Sequence, residues 1–193
     1  MIRPRALAAY ALTAVLAAPA FATDVALSAD NQWNQFAVDA MLAPLSTPLV
    51  WIDDGGAPLS FTFTVGVGFV GTLTVVDGAI AGDTFALTNF GAPLGSTSAV
   101  APGTYEASPN FGFDFDSALT DPTHFSQGLF SFAAGNYRIS GLLTQSVTLG
   151  GDPLNATAGA VRLAVSAVPE PSTPTLLFAG LGVAFVLARR FRH

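Results

Sequence analysis

The stretch LSFTFTVGVGF, residues 59–69, alternates residue by residue. Leu59, Phe61, Phe63, Val65, Val67 and Phe69 fall on one side; Ser60, Thr62, Thr64, Gly66 and Gly68 fall on the other. Successive side chains of a strand point to opposite faces, so this period predicts a half-buried β-strand. The same period returns in GTLTVVDG, with Leu73 and Val75 inward, and in DTFALTNFG, with Phe85 and Leu87 inward. In AGAVRLAVSAV it places Val161, Leu163 and Val165 inward and Arg162 outward. GLFSFAAGNYRISGLL predicts two short strands around a turn at Ala134, Gly135 and Asn136. Asp77-Gly78 and Gly82-Asp83 carry turn chemistry.

Only two stretches carry a helical spacing: NQWNQFAVDAML (31–42) and FDSALTD (115–121). In the second, Asp116 is placed to cap the first turn, and Asp121, before Pro122, to close it. Short strands punctuated by Gly, Pro, Asn and Asp predict an all-β fold. The expected form is an antiparallel β-sandwich of jelly-roll type, with the sixteen phenylalanines supplying a core between two sheets.

The two ends break the pattern. Residues 1–22 carry Arg3 and Arg5, an apolar run from Ala6 to Ala18, a helix-breaking Pro19, and the small-x-small triplet Ala20-Phe21-Ala22. This order predicts a signal peptide cleaved after Ala22, with Ala20 and Ala22 read by the peptidase. The sandwich is expected over 23–166, and 167–174 as a Pro-rich extended linker. Residues 175–193 are expected as one transmembrane helix with a basic tail, entered through Thr173 as cap and Pro174 as first helical residue. The uncharged run from Leu176 to Ala188 spans about 20 Å at ~1.5 Å per residue, against a hydrocarbon core of ~30 Å. The first helical turn and snorkelling of Arg189 and Arg190 bring it near the spanning limit. Positive-inside bias holds Arg189, Arg190 and Arg192 in the cytoplasm and leaves the body outside, the orientation that the signal peptide also demands. Gly180, Ala184 and Ala188 form a stripe of small residues along this helix.

Charge narrows the partners. The chain has net charge −6, and residues 23–168 hold no lysine and two arginines, Arg138 and Arg162, against twelve acidic residues. Such a surface repels nucleic acid. There is no cysteine, so no disulfide supports the fold. No cofactor is expected, with calcium the one ion the sequence raises. Asp114, Asp116 and Asp121, with Asp77 and Asp83 from the preceding turn, offer hard oxygen ligands suited to Ca²⁺. The same carboxylates read first as caps of turns and helix ends, and their spacing is not that of an EF-hand.

Asp53-Asp54 and Asp114/Asp116 are formal candidates for a glycosidase pair. Asp53-Asp54 precedes Gly55-Gly56 and reads first as a turn. His124 sits between Asp121 and Ser126 without a Gly-x-Ser-x-Gly elbow, and reads as a surface histidine. Trp33, Trp51 and Tyr105 are candidate sugar-stacking rings; Trp51, in LVWIDD, reads as core and Trp33, in DNQWNQF, as exposed. Asn155-Ala156-Thr157 is a formal glycosylation sequon. The body is expected to be non-enzymatic.

Pro169-Glu170-Pro171, followed by a short apolar helix and Arg189-Arg190-x-Arg192, resembles the PEP-CTERM sorting signal of Gram-negative bacteria over residues 168–193. The resemblance implies recognition by exosortase, a membrane-embedded processing enzyme. Pro169, Glu170 and Pro171, with Arg189 and Arg190, would be the recognised residues, and the helix a transient membrane anchor. It further implies delivery to the cell surface or exopolysaccharide matrix, with a structural or adhesive role. The alternatives are a secreted polysaccharide-active hydrolase, or a carbohydrate- or Ca-binding module. LTVVDGAIAGDTFALTNFGAPLGSTS and FDFDSALTDPTHFSQGLFSFAAGNYRISG resemble a β-rich domain found in many such proteins, which supports fold and address and implies no reaction.

Overall fold

The computed structural model describes residues 22–42 and 48–168. The expected terminal helix and all of the expected signal peptide except Ala22 lie outside the described residues. Thirteen strands and one short helix are formed within them. In chain order these are β1 (Thr23–Ala26), β2 (Asn34–Asp39), β3 (Leu59–Val65), β4 (Phe69–Asp77), β5 (Ala79–Ile80), β6 (Thr84–Asn89), β7 (Ala92–Ser96) and β8 (Asn110–Gly112). Then come α1 (Phe115–Thr120), β9 (Gln127–Phe132), β10 (Gly135–Gln145), β11 (Thr148–Leu149), β12 (Asp152–Pro153) and β13 (Ala156–Ala167).

The strands make a sandwich. One sheet has the order β1-β3-β10-β6-β7 and the other β2-β13-β4-β9. Two short ribbons, β5-β8 and β11-β12, lie outside these sheets. The alternating residues meet between the two sheets: Phe61, Phe63, Val65, Leu73, Val75, Phe85, Leu87, Val161 and Leu163 are all buried in one cluster. All named pairings are antiparallel except β1 with β3, which is parallel, in register Thr23↔Leu59 through Ala26↔Thr62. That departs from the purely antiparallel expectation. A parallel neighbour needs a long crossover, and the chain from Leu27 to Pro58, passing through β2 in the other sheet, supplies it.

Three sequence expectations are corrected. The alternating run 59–69 is two strands: Val67 is 91% exposed, and the chain turns at Gly66–Gly68, where Gly68 has φ +82°. β3 and β4 then lie in different sheets, so the alternation continues across a change of sheet. The stretch 31–42 contains β2 instead of a helix, because Phe36 and Val38, two apart, both enter the core while Met41 stays outside. In α1 the cap is Asp114, not Asp116; its carboxylate accepts the Ser117 N–H at 3.1 Å and the Ser117 hydroxyl at 2.7 Å.

Trp51 closes one side of the sandwich. Its N–H donates to the Gly141 carbonyl on β10, while Ile52 exchanges backbone bonds with Ala37 on β2. This short segment therefore ties the two sheets together. The indole stacks on Phe36 at 3.9 Å between ring centroids. Two glycines make that slot: a Cβ on Gly141 would overlap the indole, and one on Gly159 would overlap the Phe36 ring. A second buried cluster lies on the opposite face of the β4-β13 pair, where Phe115 and Ala118 of α1 join Phe125, Val76 and Ala160. At this end the four-stranded sheet is covered on both sides, which is why adjacent residues Val75 and Val76, and Ala160 and Val161, are all buried.

Candidate functional site

The three carboxylates read as calcium ligands are each engaged by a different protein partner. Asp114 caps α1, and the serine hydroxyl and N–H it accepts hold its carboxyl below the usual range. Asp116 accepts from Trp33 Nε1 at 3.1 Å and pairs with Arg162 Nη1 at 3.1 Å, while the Arg162 guanidinium lies 4.3 Å from the Trp33 ring centroid. Asp121 follows α1 and accepts from Thr123 and His124 side chains, with its pKa lowered chiefly by the Thr123 hydroxyl. Among the described residues no group of three or more His, Asp or Glu side chains is gathered to hold a metal ion.

Of the hydrolase candidates, Asp53, like Asp114 and Asp116, is engaged by protein partners, and Asp54 is exposed in the same turn. Asp53 Oδ1 accepts the N–H groups of Gly55 and Ala57, and Oδ2 accepts the Thr23 hydroxyl at 2.6 Å. That residue therefore closes its own turn onto β1. His124 Nδ1 sits 2.8 Å from Asp121 Oδ2, on an exposed turn. Ser126 is fully buried and donates to Thr97 Oγ1, so it faces away from any such chemistry. Trp51 is buried, as its apolar neighbours require, and Trp33 is half-buried under Arg162 rather than free.

Asp77 and Asp83, read as turn residues, are the acids that burial changes most. Both are essentially inaccessible. Asp77 Oδ2 accepts the N–H groups of Gly82 and Asp83, each at 3.2 Å, while Oδ1 has no partner. Asp83 Oδ1 accepts the Val147 N–H at 2.8 Å. Burial pushes Asp77 well above the carboxylate range, with the neighbouring Asp83 charge adding to it. Burial raises Asp83 to about 6, against the lowering effect of Thr157 and Val147 hydrogen bonds. These bonds fix the β4–β6 connection against the segment before β11. Turn chemistry was legible in the sequence, but the burial that α1 and the 103–109 loop impose was not.

The end of the body is defined by one hydrogen bond. β13 runs to Ala167, one residue into the stretch expected as linker, and the Val168 N–H donates to the Gly68 carbonyl at 2.8 Å. Pro169 follows and has no N–H, so it cannot extend that pattern. Residues 167–192 match the family model of the PEP-CTERM protein-sorting motif. The chain carries a PEP-CTERM sorting motif. The PEP-CTERM match thus begins at the last residue of the final strand and contains Pro169, Glu170, Pro171, Arg189 and Arg190. It supports export and processing by exosortase, with a C-terminal membrane anchor before cleavage. Those five residues lie outside the described structure, as does the helix expected at 175–193. Among the described residues no helix is long and apolar enough to cross a membrane.

No curated protein matches the chain. Among solved structures, the body is similar to the pre-peptidase C-terminal domain of collagenase from Bacillus anthracis, at 11% identity and TM-score 0.37, over 76% of this chain and 98% of that one.

Proposed function

We propose that this is an exported protein whose PEP-CTERM tail is a temporary handle for exosortase, and whose β-sandwich is a non-enzymatic structural or adhesive module of the cell surface or exopolysaccharide matrix. The observation that carries the reading is the junction at Val168. The sorting motif starts where the ladder ends, so cutting beyond it removes no core residue. A Pro-Glu-Pro segment is a stiff extended ligand that loses little entropy on entering a membrane-surface cleft. The engagement of Asp53, Asp114, Asp116 and Asp121 in turns, caps and an ion pair supports a binding body over a hydrolytic one.

The test is cell fractionation of the host producing the parent chain and the triple variant P169A/E170Q/P171A. The parent is expected at the surface or in the medium, and the variant is expected to stay with the membrane fraction. A variant that reaches the surface as the parent does would overturn the reading.

A further inference from the structure

The outer face of the five-stranded sheet carries a groove of about 530 Å³ that none of the sequence candidates anticipated. Its floor is set by register. Thr62 and Thr64 on β3 stand directly opposite Arg138 and Asn136 on β10, and Asp24 comes from β1 beside them. Arg138 Nε and Nη2 both bond Asp24 Oδ1, at 2.9 and 2.8 Å. Thr64 donates to Asn136 Oδ1 at 2.7 Å. These bonds fix the polar groups while leaving Arg138 Nη1, Asp24 Oδ2 and Asn136 Nδ2 without a partner among the described residues. The result is a row of positioned donors and acceptors along the sheet face.

One wall is an aromatic ring held at a conformational cost. Phe90 is 63% exposed, with φ +48°, in the left-handed region that bulky side chains rarely adopt. It and Gly91, at φ +80°, form the two-residue connection from β6 to β7, the type I′ pattern that favours Asn-Gly. The Phe90 N–H donates to the Arg138 carbonyl at 2.9 Å, which fixes the turn beside the polar row. Backbone strain at an exposed aromatic that adds nothing to the core points to a task outside the fold.

We propose that this groove binds a segment of neutral polysaccharide, with the Phe90 ring against the C–H face of one sugar and Arg138, Asp24 and Asn136 on its hydroxyls. The chemistry selects the class. Sugars present one apolar face and an edge of paired hydroxyls, which match a ring beside planar bidentate groups. Charge selects neutral over anionic polymers. Arg138 is already neutralised by Asp24, the other body arginine by Asp116, and the chain carries net charge −6. A polyuronate would meet repulsion with no free cation among the described residues to offset it.

The inference rests on the matrix-protein reading, and its test is independent of export. The exported protein, purified from its host, is run by affinity electrophoresis through gels containing a glucan, a galactan, a mannan or alginate, alongside F90N and N136A. At least one neutral polymer is expected to retard the parent, with little dependence on salt, and alginate is not. F90N installs the turn's preferred Asn-Gly, so it is expected to melt no lower than the parent yet bind roughly tenfold more weakly. N136A is expected to weaken binding with the melting temperature held. Equal retardation of F90N and parent, retardation by alginate alone, or a neutral-polymer panel that retards nothing would each overturn it. Self-association abolished by F90N in place of glycan binding would also overturn it, assigning the groove to a second copy. A surface-located protein that fails these gels sinks the groove alone, whereas a protein retained in the cytosol sinks the export reading alone.

Discussion

Asp77 and Asp83 make stability depend on pH in a direction opposite to the exposed acids. Their folded pKa values are both raised, chiefly by burial, Asp83 to about 6. The folded state therefore binds protons that the unfolded chain releases near the ordinary carboxylate value of 3.8. The stability they contribute is fully present below that value and is lost as pH rises through the folded pKa, which for Asp83 is about 6. Asp53, Asp114 and Asp121 have lowered values, so their contributions are present above 3.8 and lost only in stronger acid. Between pH 5 and 8 the buried pair sets the slope. Thermal melts are expected to fall by roughly 5 °C over that range, and D77N is expected to flatten the fall and to melt higher than the parent at pH 8. A melting temperature that rises from pH 5 to 8 would refute this. At this scale the sequence was partly legible. Period-2 positions such as Phe61, Phe85 and Val161 went where the alternation put them. The depth of Asp77 did not show, because Asp-Gly has the same local chemistry in a wet turn as in a covered one.

At the scale of elements, the Trp51–Phe36 stack depends on two glycines in different sheets. Gly141 on β10 and Gly159 on β13 leave the room that the two rings fill. Adding one methyl at either position forces the rings or the strands apart, so G141A and G159A are each expected to cost about 1–3 kcal/mol in chemical denaturation. Both press on the same stack, so the double variant is expected to be less destabilised than the sum. Nothing in the neighbouring sequence marks these glycines apart from turn glycines, since the ring that needs the space is distant in sequence. β2 was misread for a related reason. Trp33, Phe36, Ala37 and Met41 follow a helical spacing, and only the place of Phe36 and Val38 between two sheets decides for the strand. The helix at 115–120 was legible, but the cap two residues earlier leaves Asp116 free to meet Arg162 and Trp33, which come from distant stretches of the chain.

At the scale of the whole molecule, the buried core of the described body ends before the sorting motif begins. Every member of the main core lies between Leu27 and Leu163, and the sorting motif starts at Ala167. The sorting motif at the C-terminal end was legible from terminal patterning, and the signal peptide expected at 1–22 lies outside the described residues except for Ala22. The groove on the outer sheet was not legible, because Asp24, Phe90 and Arg138 come together only through the register of four strands. The most direct measurement is intact mass spectrometry of the mature protein from its host, with and without exosortase. The account predicts a chain starting at Thr23 and lacking the apolar tail in the first case, and one retaining residues through His193 in the second. A surface-located chain that keeps the full tail while exosortase is active would contradict it.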